Sequence, residues 1–127
     1  MNDIIKKVEE FHKSFEAPIA NEKTLIPEDR YKLRYKLMIE ETDEYLQACQ
    51  EKDMTGIADA LSDKLYILCG TIIEHGLQDY ITDLFAEVHS SNMSKLGNDG
   101  LPIRREDGKI IKGPNYYAPD LTKILYK

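Results

Sequence analysis

Residues 53–76, DMTGIADALSDKLYILCGTIIEHG, decide the fold. Ile57, Leu61, Leu65, Leu68 and Ile72 recur at helical spacing, with Asp53 or Thr55 available to cap the start and Gly76 to stop the end. Between Gly56 and Gly70 the only charges are Asp59, Asp63 and Lys64, and the two aspartates share one helix face. An otherwise apolar helix that carries two carboxylates on one face needs a partner element to account for them.

The partner is the stretch immediately upstream. Pro27 suits a first helical turn, and Glu28 and Asp29 complement the helix dipole there, so a second helix is expected from near Pro27 to about Glu51. At about 100° per residue, Glu40, Glu41 and Glu44 continue the arc that holds Leu33, Leu37 and Ala48, while Lys36, Asp43 and Gln47 gather on the opposite side. The three glutamates therefore face the bundle. Farther out, Ile4, Val8, Phe11 and Phe15 predict a first helix over about residues 3 to 16, followed by a loop over 17–27. Ile81, Leu84, Phe85 and Val88 predict a fourth helix that fades around Leu96.

After Leu96 the texture changes to Asn98, Asp99, Gly100, Pro102, Asp107, Gly108, Gly113 and Pro114. Residues 103–105 and 109–111 flank an Asp-Gly pair and predict a small two-stranded hairpin. The expected architecture is all-α: one domain over 1–127, made of an antiparallel bundle of four main helices (1–96) and an irregular C-terminal extension (97–127).

Composition bounds the function. The 127 residues are 42% hydrophobic and 31% charged, which fits a globular chain and excludes a disordered or low-complexity one. No apolar run reaches the length of a membrane span, and the mixed-charge start lacks the apolar stretch of a secretory signal, so the expected location is the cytoplasm. Cys49 and Cys69 form no CxxC pair and are expected as buried thiols. A net charge of -6 argues against a nucleic-acid polymer as partner. The charge is uneven, however: 11 acids fall between Glu28 and Glu74, whereas Lys95, Arg104, Arg105, Lys109 and Lys112 give residues 95–113 a positive excess. That division suits a metal ion and an anionic ligand.

Glu40, Glu41 and Glu44 opposite Asp59 and Asp63 would supply hard oxygen ligands, the donors that Mg2+ takes together with substrate phosphates. The alternative is that these acids pair with Arg34, Lys36 or Lys64. A di-iron site is disfavoured, because His12, His75 and His89 form no Glu-x-x-His motif.

The pattern Ile39-Glu40-Glu41-x-x-Glu44, followed by Ala58-Asp59-Ala60-Leu61-Ser62-Asp63-Lys64-Leu65-Tyr66, resembles the all-α nucleoside triphosphate pyrophosphohydrolases. That superfamily takes in the MazG-like proteins, phosphoribosyl-ATP pyrophosphohydrolase and the dimeric dUTPases. Phe11-His12-x-x-Phe15-x-x-Pro18, Glu87-Val88-His89-x-Ser91-Asn92-Met93-Ser94-Lys95, Asp107-Gly108-Lys109 and Lys112-Gly113-Pro114-Asn115-Tyr116 are similar to a MazG-like subgroup, in the same order.

The resemblance implies Mg2+-dependent hydrolysis of a nucleoside triphosphate to the monophosphate and pyrophosphate, with removal of non-standard nucleotides as one role and Mn2+ as a substitute ion. It implies Glu41, Glu44 and Asp63 as ligands, with Glu40 adjacent. Ala60 stands where the superfamily often has glutamate, which leaves Asp59 as the nearby acid and the number of ions open. Glu41 is the candidate proton acceptor. Asn92, Lys95, Lys112, Asn115 and Tyr116 are the candidate substrate ligands, each with a structural alternative: Lys95 as a dipole partner, Asn115 as a turn former. Tyr66 and Tyr116 could stack on a base or pack in the core, His89 could be core or ligand, and Arg34 could pair with an acid of its own helix. Arg104 and Arg105 are expected to be solvated. A homodimer or larger oligomer is expected, since Met38, Ile39, Tyr45, Leu46 and Cys49 lie away from the acids. Two rivals remain, phosphoribosyl-ATP as substrate and a non-catalytic acidic adaptor.

Overall fold

A computed structural model describes residues 2–126 and is all-α, with one small sheet. Its elements are α1 (Asn2–Ser14), α2 (Glu28–Gln50), α3 (Met54–Glu74), α4 (Ile81–Met93), β1 (Ile103–Arg104), β2 (Ile110–Ile111) and α5 (Thr122–Leu125). They fall into two compact units, Met1–Asp79 and Tyr80–Lys127.

In the first unit α3 packs against both α1 and α2. Asp53 caps α3 by accepting a hydrogen bond from the Gly56 amide at 3.0 Å. At the other end Gly76 adopts a φ of +67°, the left-handed turn that ends a helix and that glycine takes without steric cost. The loop between α1 and α2 is tied across this end of α3: Ala20 N donates to Ile73 O at 3.1 Å and Thr24 N to His75 O at 2.9 Å. Ile5 and Val8 of α1, Ala48 of α2 and Ala60, Cys69, Ile72 and Ile73 of α3 form the core. Ala60, at the position where a glutamate was in question, is thus a core residue that faces away from solvent.

Three expectations are corrected here. The buried stripe of α1 is Ile5, Val8 and His12 rather than Ile4, Val8, Phe11 and Phe15, because the His12 ring is satisfied by a 2.8 Å hydrogen bond between Nδ1 and Pro18 O and can turn inward. Cys69 is buried, but Cys49 is only half-buried. Arg34 pairs with no acid of its own helix. It reaches across to Glu74 of α3, which Arg30 also holds.

In the second unit, the segment after the hairpin returns to the end of α4. Ser91 Oγ donates to Tyr117 O at 2.8 Å, Gly113 N donates to Lys95 O at 2.9 Å, and Asp120 N donates to Glu87 Oε2 at 2.8 Å. The hairpin pairs Ile103 with Ile111 and Arg104 with Ile110, antiparallel, around a turn in which Gly108 has a φ of +87°. The four-residue α5 lies in what the sequence presents as irregular chain; a single turn carries no periodicity to read. Among the described residues no helix is long and apolar enough to cross a membrane.

Candidate active site

The C-terminal half of α2 and the N-terminal half of α3 bring Glu41, Glu44 and Asp63 together. One carboxylate oxygen from each lies within 4.8 Å of the other two. Glu44 and Asp63 are exposed and Glu41 is half-buried, so the acids lie at the surface rather than in the interior that the helical arc suggested. Glu40 and Asp59 are exposed and stand outside this set of three.

Glu41 is the unusual member. Its Oε2 is enclosed and has no hydrogen-bond partner. Burial, a proton shared with Glu44, and the charges of Glu44, Asp63 and Asp59 push its carboxyl from an ordinary value of 4.5 up to about 7. The cations that could have neutralised the group are committed elsewhere or unpaired with it. Arg34 binds Glu74, and Lys64 Nζ donates to Thr42 Oγ1 at 2.7 Å. Among the described residues no ion pair joins Lys36, or any cation, to Glu40, Glu41, Glu44, Asp59 or Asp63. Like charges left unpaired in contact are unfavourable, and a hard cation is the simplest group that relieves them.

In the second unit the bond from Gly113 to Lys95 sets the start of the Lys112–Tyr116 segment beside the end of α4. A side chain at Gly113 would collide with the Lys95 and Leu96 carbonyls, so close backbone approach requires glycine there. Lys112 Nζ lies 4.7 Å from the centre of the Tyr116 ring, and Asn115 Nδ2 donates to Asn98 Oδ1 at 2.8 Å. Asn92 and Lys112 are exposed, while Lys95 and Tyr116 are half-buried. Arg105 pairs with Asp107 at 2.7 Å on an exposed turn, Arg104 is exposed and donates to Gly108 O at 3.1 Å, and His89 is exposed.

Reading the sequence missed the Arg30–Glu74–Arg34 cluster, whose signal is two arginines one turn apart opposite an acid at the end of an apolar helix.

The helix pair that sets carboxylates of two consecutive helices together has counterparts among known proteins. The profile of the phosphoribosyl-ATP pyrophosphohydrolase family matches residues 8–92, and the chain belongs to that family. The chain is similar to the crystal structure of a candidate NTP pyrophosphohydrolase from Exiguobacterium sp. 255-15, with 30% sequence identity and a TM-score of 0.50, over 91% of this chain and 88% of that one. No curated protein matches. The protein is accordingly pyrophosphohydrolase-like in family and fold.

Proposed function

We propose that this protein hydrolyses a nucleoside triphosphate to the monophosphate and pyrophosphate, using Mg2+ or, in its place, Mn2+. The observation that carries the reading is the set Glu41, Glu44 and Asp63, mutually within reach and with no ion pair to a cation among the described residues. The fit of the ion rests on three hard oxygen donors and on the enclosed, unpartnered Glu41 Oε2. Glu41, Glu44 and Asp63 would hold it, with Glu40 and Asp59 adding negative charge around them. When bound, such an ion neutralises phosphate charge and polarises the phosphate to be attacked.

Glu41 is assigned the proton of the attacking water, through the carboxylate oxygen that it does not give to the ion. Lys95 and Lys112 are assigned to phosphate oxygens and Asn92, Asn115 and Tyr116 to the remaining polar contacts of the substrate. The family match favours a second substrate, phosphoribosyl-ATP, with the same chemistry. A panel of nucleoside triphosphates and phosphoribosyl-ATP, scored for pyrophosphate release with and without Mg2+, separates the two; release without metal would refute the mechanism.

A homodimer is part of the same reading. Ile39, Tyr45 and Leu46 of α2 and Leu61 and Leu68 of α3 remain exposed within the chain, although Ile72 is buried and Met38 and Leu65 are half-buried. A two-fold partner would cover this face with its own copy. Sedimentation should give twice the chain mass of 14.6 kDa at micromolar concentration; a monomer would refute it.

A further inference from the structure

Ser91 and Ser94, at the end of α4, spend both hydroxyls on the backbone of a single residue. Ser91 Oγ donates to Tyr117 O at 2.8 Å, and Tyr117 N donates to Ser94 Oγ at 3.2 Å, so the peptide groups on either side of Tyr117 are held from one helix end. Ser94 Oγ in turn donates to Ser91 O at 2.6 Å, which leaves its lone pairs for the Tyr117 amide. Ser91 is 3% exposed, so its hydroxyl is withdrawn from solvent and needs the partner that Tyr117 O supplies.

This hold is the second of two on one short loop. Gly113 N donates to Lys95 O at 2.9 Å, and inside the loop Tyr116 N donates to Gly113 O at 3.2 Å. Residues 113 and 117 are both pinned to the end of α4, which leaves the three residues between them little freedom. Glu87, one turn before Ser91, extends the line by accepting from Asp120 N at 2.8 Å and pairing with Lys123 Nζ at 3.2 Å. The chain after the hairpin is thus a strap laid back along α4.

The strap carries a cation. Lys112 Nζ lies 4.7 Å from the centre of the Tyr116 ring, and Tyr116 immediately precedes the doubly held Tyr117. An ammonium on a four-carbon stem is otherwise free to sweep. The ring gives it a place, and the serines give the ring its place. Gly113, bonded to Lys95, also follows Lys112 directly, so one backbone bond sets the origins of the two lysines side by side. Among the described residues neither lysine forms an ion pair.

We propose, on the basis of the pyrophosphohydrolase reading above, that Ser91 and Ser94 are positioning residues: through Tyr117 and the Tyr116 ring they hold Lys112 beside Lys95, so that both ammoniums take one polyphosphate anion. The serines themselves touch no substrate. A loop that orders only when the anion arrives spends part of its binding energy on that ordering, and a loop held beforehand does not.

Calorimetric titration of inorganic tripolyphosphate into the full chain, with Mg2+ present, tests this without turnover. Lys112→Ala should weaken binding. Ser91→Ala should weaken it about fivefold to tenfold, the scale of one lost hydrogen bond and the order it secures. Ser94→Ala should act in the same direction, and Ser94→Thr, which keeps the hydroxyl, should restore wild-type affinity. With Lys112 already replaced by alanine, Ser91→Ala should change affinity by less than about twofold, because the serine acts through the lysine. Mn2+ titrated alone should bind each serine variant as it binds the wild type.

Wild-type tripolyphosphate affinity in Ser91→Ala or in Lys112→Ala would overturn the proposal. So would a Ser91→Ala loss that is undiminished in the Lys112→Ala background, or a Ser94→Thr loss equal to that of Ser94→Ala. Weakened Mn2+ binding in the serine variants would make the effect a general loss of structure and would overturn it too. If Ser91→Ala does not fold by circular dichroism, Ser94→Ala, at a position only half-buried, carries the same double-mutant comparison. If that comparison comes out as expected but no nucleoside triphosphate releases pyrophosphate, the hydrolase reading fails and the positioning role stands; pyrophosphate release with unchanged KM in Ser91→Ala gives the reverse.

Discussion

Arg30 of α2 grips Glu74 of α3 with two hydrogen bonds, Nε to Oε1 at 3.0 Å and Nη2 to Oε2 at 2.8 Å, on a carboxylate that is wholly removed from solvent. Arg34, one turn later, adds Nη1 at 3.2 Å from Oε2 and donates to Thr71 Oγ1 and the Ile67 carbonyl. The cluster joins the start of α2 to the end of α3, the opposite ends of these helices from the three acids. Removing one partner of a buried pair strands the other charges, so Glu74→Leu should lose about 3–5 kcal/mol in urea unfolding. Metal-dependent activity per folded molecule should be retained, because no contact of Glu74 involves the carboxylate set.

Gly70 tests the same packing from below. In an exposed helix interior, glycine to alanine gains roughly 0.5–1 kcal/mol. Here a Cβ would meet Arg34 Nη2 at 2.5 Å and His12 Nε2 at 2.8 Å. Both side chains are held, Arg34 by Glu74, Thr71 and Ile67, and His12 by Pro18 O. Neither can give way freely, so the sign should reverse and Gly70→Ala should cost about 1–3 kcal/mol by denaturant titration.

Much of this fold is legible in the sequence because α2 and α3 carry strong local signals. Asp53 caps, Gly76 stops, and two aspartates interrupt an apolar helix, so the helix pair and its acids can be placed without a structure. What periodicity cannot decide is which of two neighbouring residues turns inward. Phe11 and Ile5 both lie near the apolar stripe of α1; tertiary packing buries Ile5 and leaves Phe11 partly in water. The same limit applies to charge. Glu74 reads as an end-of-helix acid, and only the arrival of two arginines from another helix explains its burial. Long-range pairings of this kind have no signature within one segment.

Glu41 should make the metal-free protein pH-sensitive. Its carboxyl titrates near 7 in the folded chain against 4.5 ordinarily, chiefly through burial and then through the proton shared with Glu44. Between these values the folded state holds more proton than the unfolded state, so stability should fall as pH rises from about 4.5 to 7 and level off above. Thermal unfolding in chelated buffer across pH 5–8 measures this slope, and Glu41→Gln should flatten it. Metal affinity should run the other way, rising with pH until Glu41 is ionised, because a ligand must first lose its proton. Mg2+ affinity that is constant from pH 5.5 to 8 would remove Glu41 from the ligand set.

The acids themselves allow the sharpest separation of ligand from scaffold. Among the described residues none pairs with a cation, so neutral substitution removes repulsion and should leave stability unchanged or raised in the absence of metal. Glu44→Gln and Asp63→Asn should each abolish Mg2+-dependent pyrophosphate release and weaken Mn2+ binding in a direct titration. A structural role predicts the opposite, with stability lost and activity kept. Asp59→Asn is the graded case. Asp59 is outside the three converging oxygens, and Ala60 beside it is buried in the core, so Asp59 is the acid on that turn left to act on the site. It acts on Glu41 through charge. A supporting group of this kind is worth about 10–100-fold in metal affinity or activity, and a loss near tenfold is expected. Full turnover in Asp59→Asn would show that Glu41, Glu44 and Asp63 suffice, and complete loss would make Asp59 a ligand in its own right.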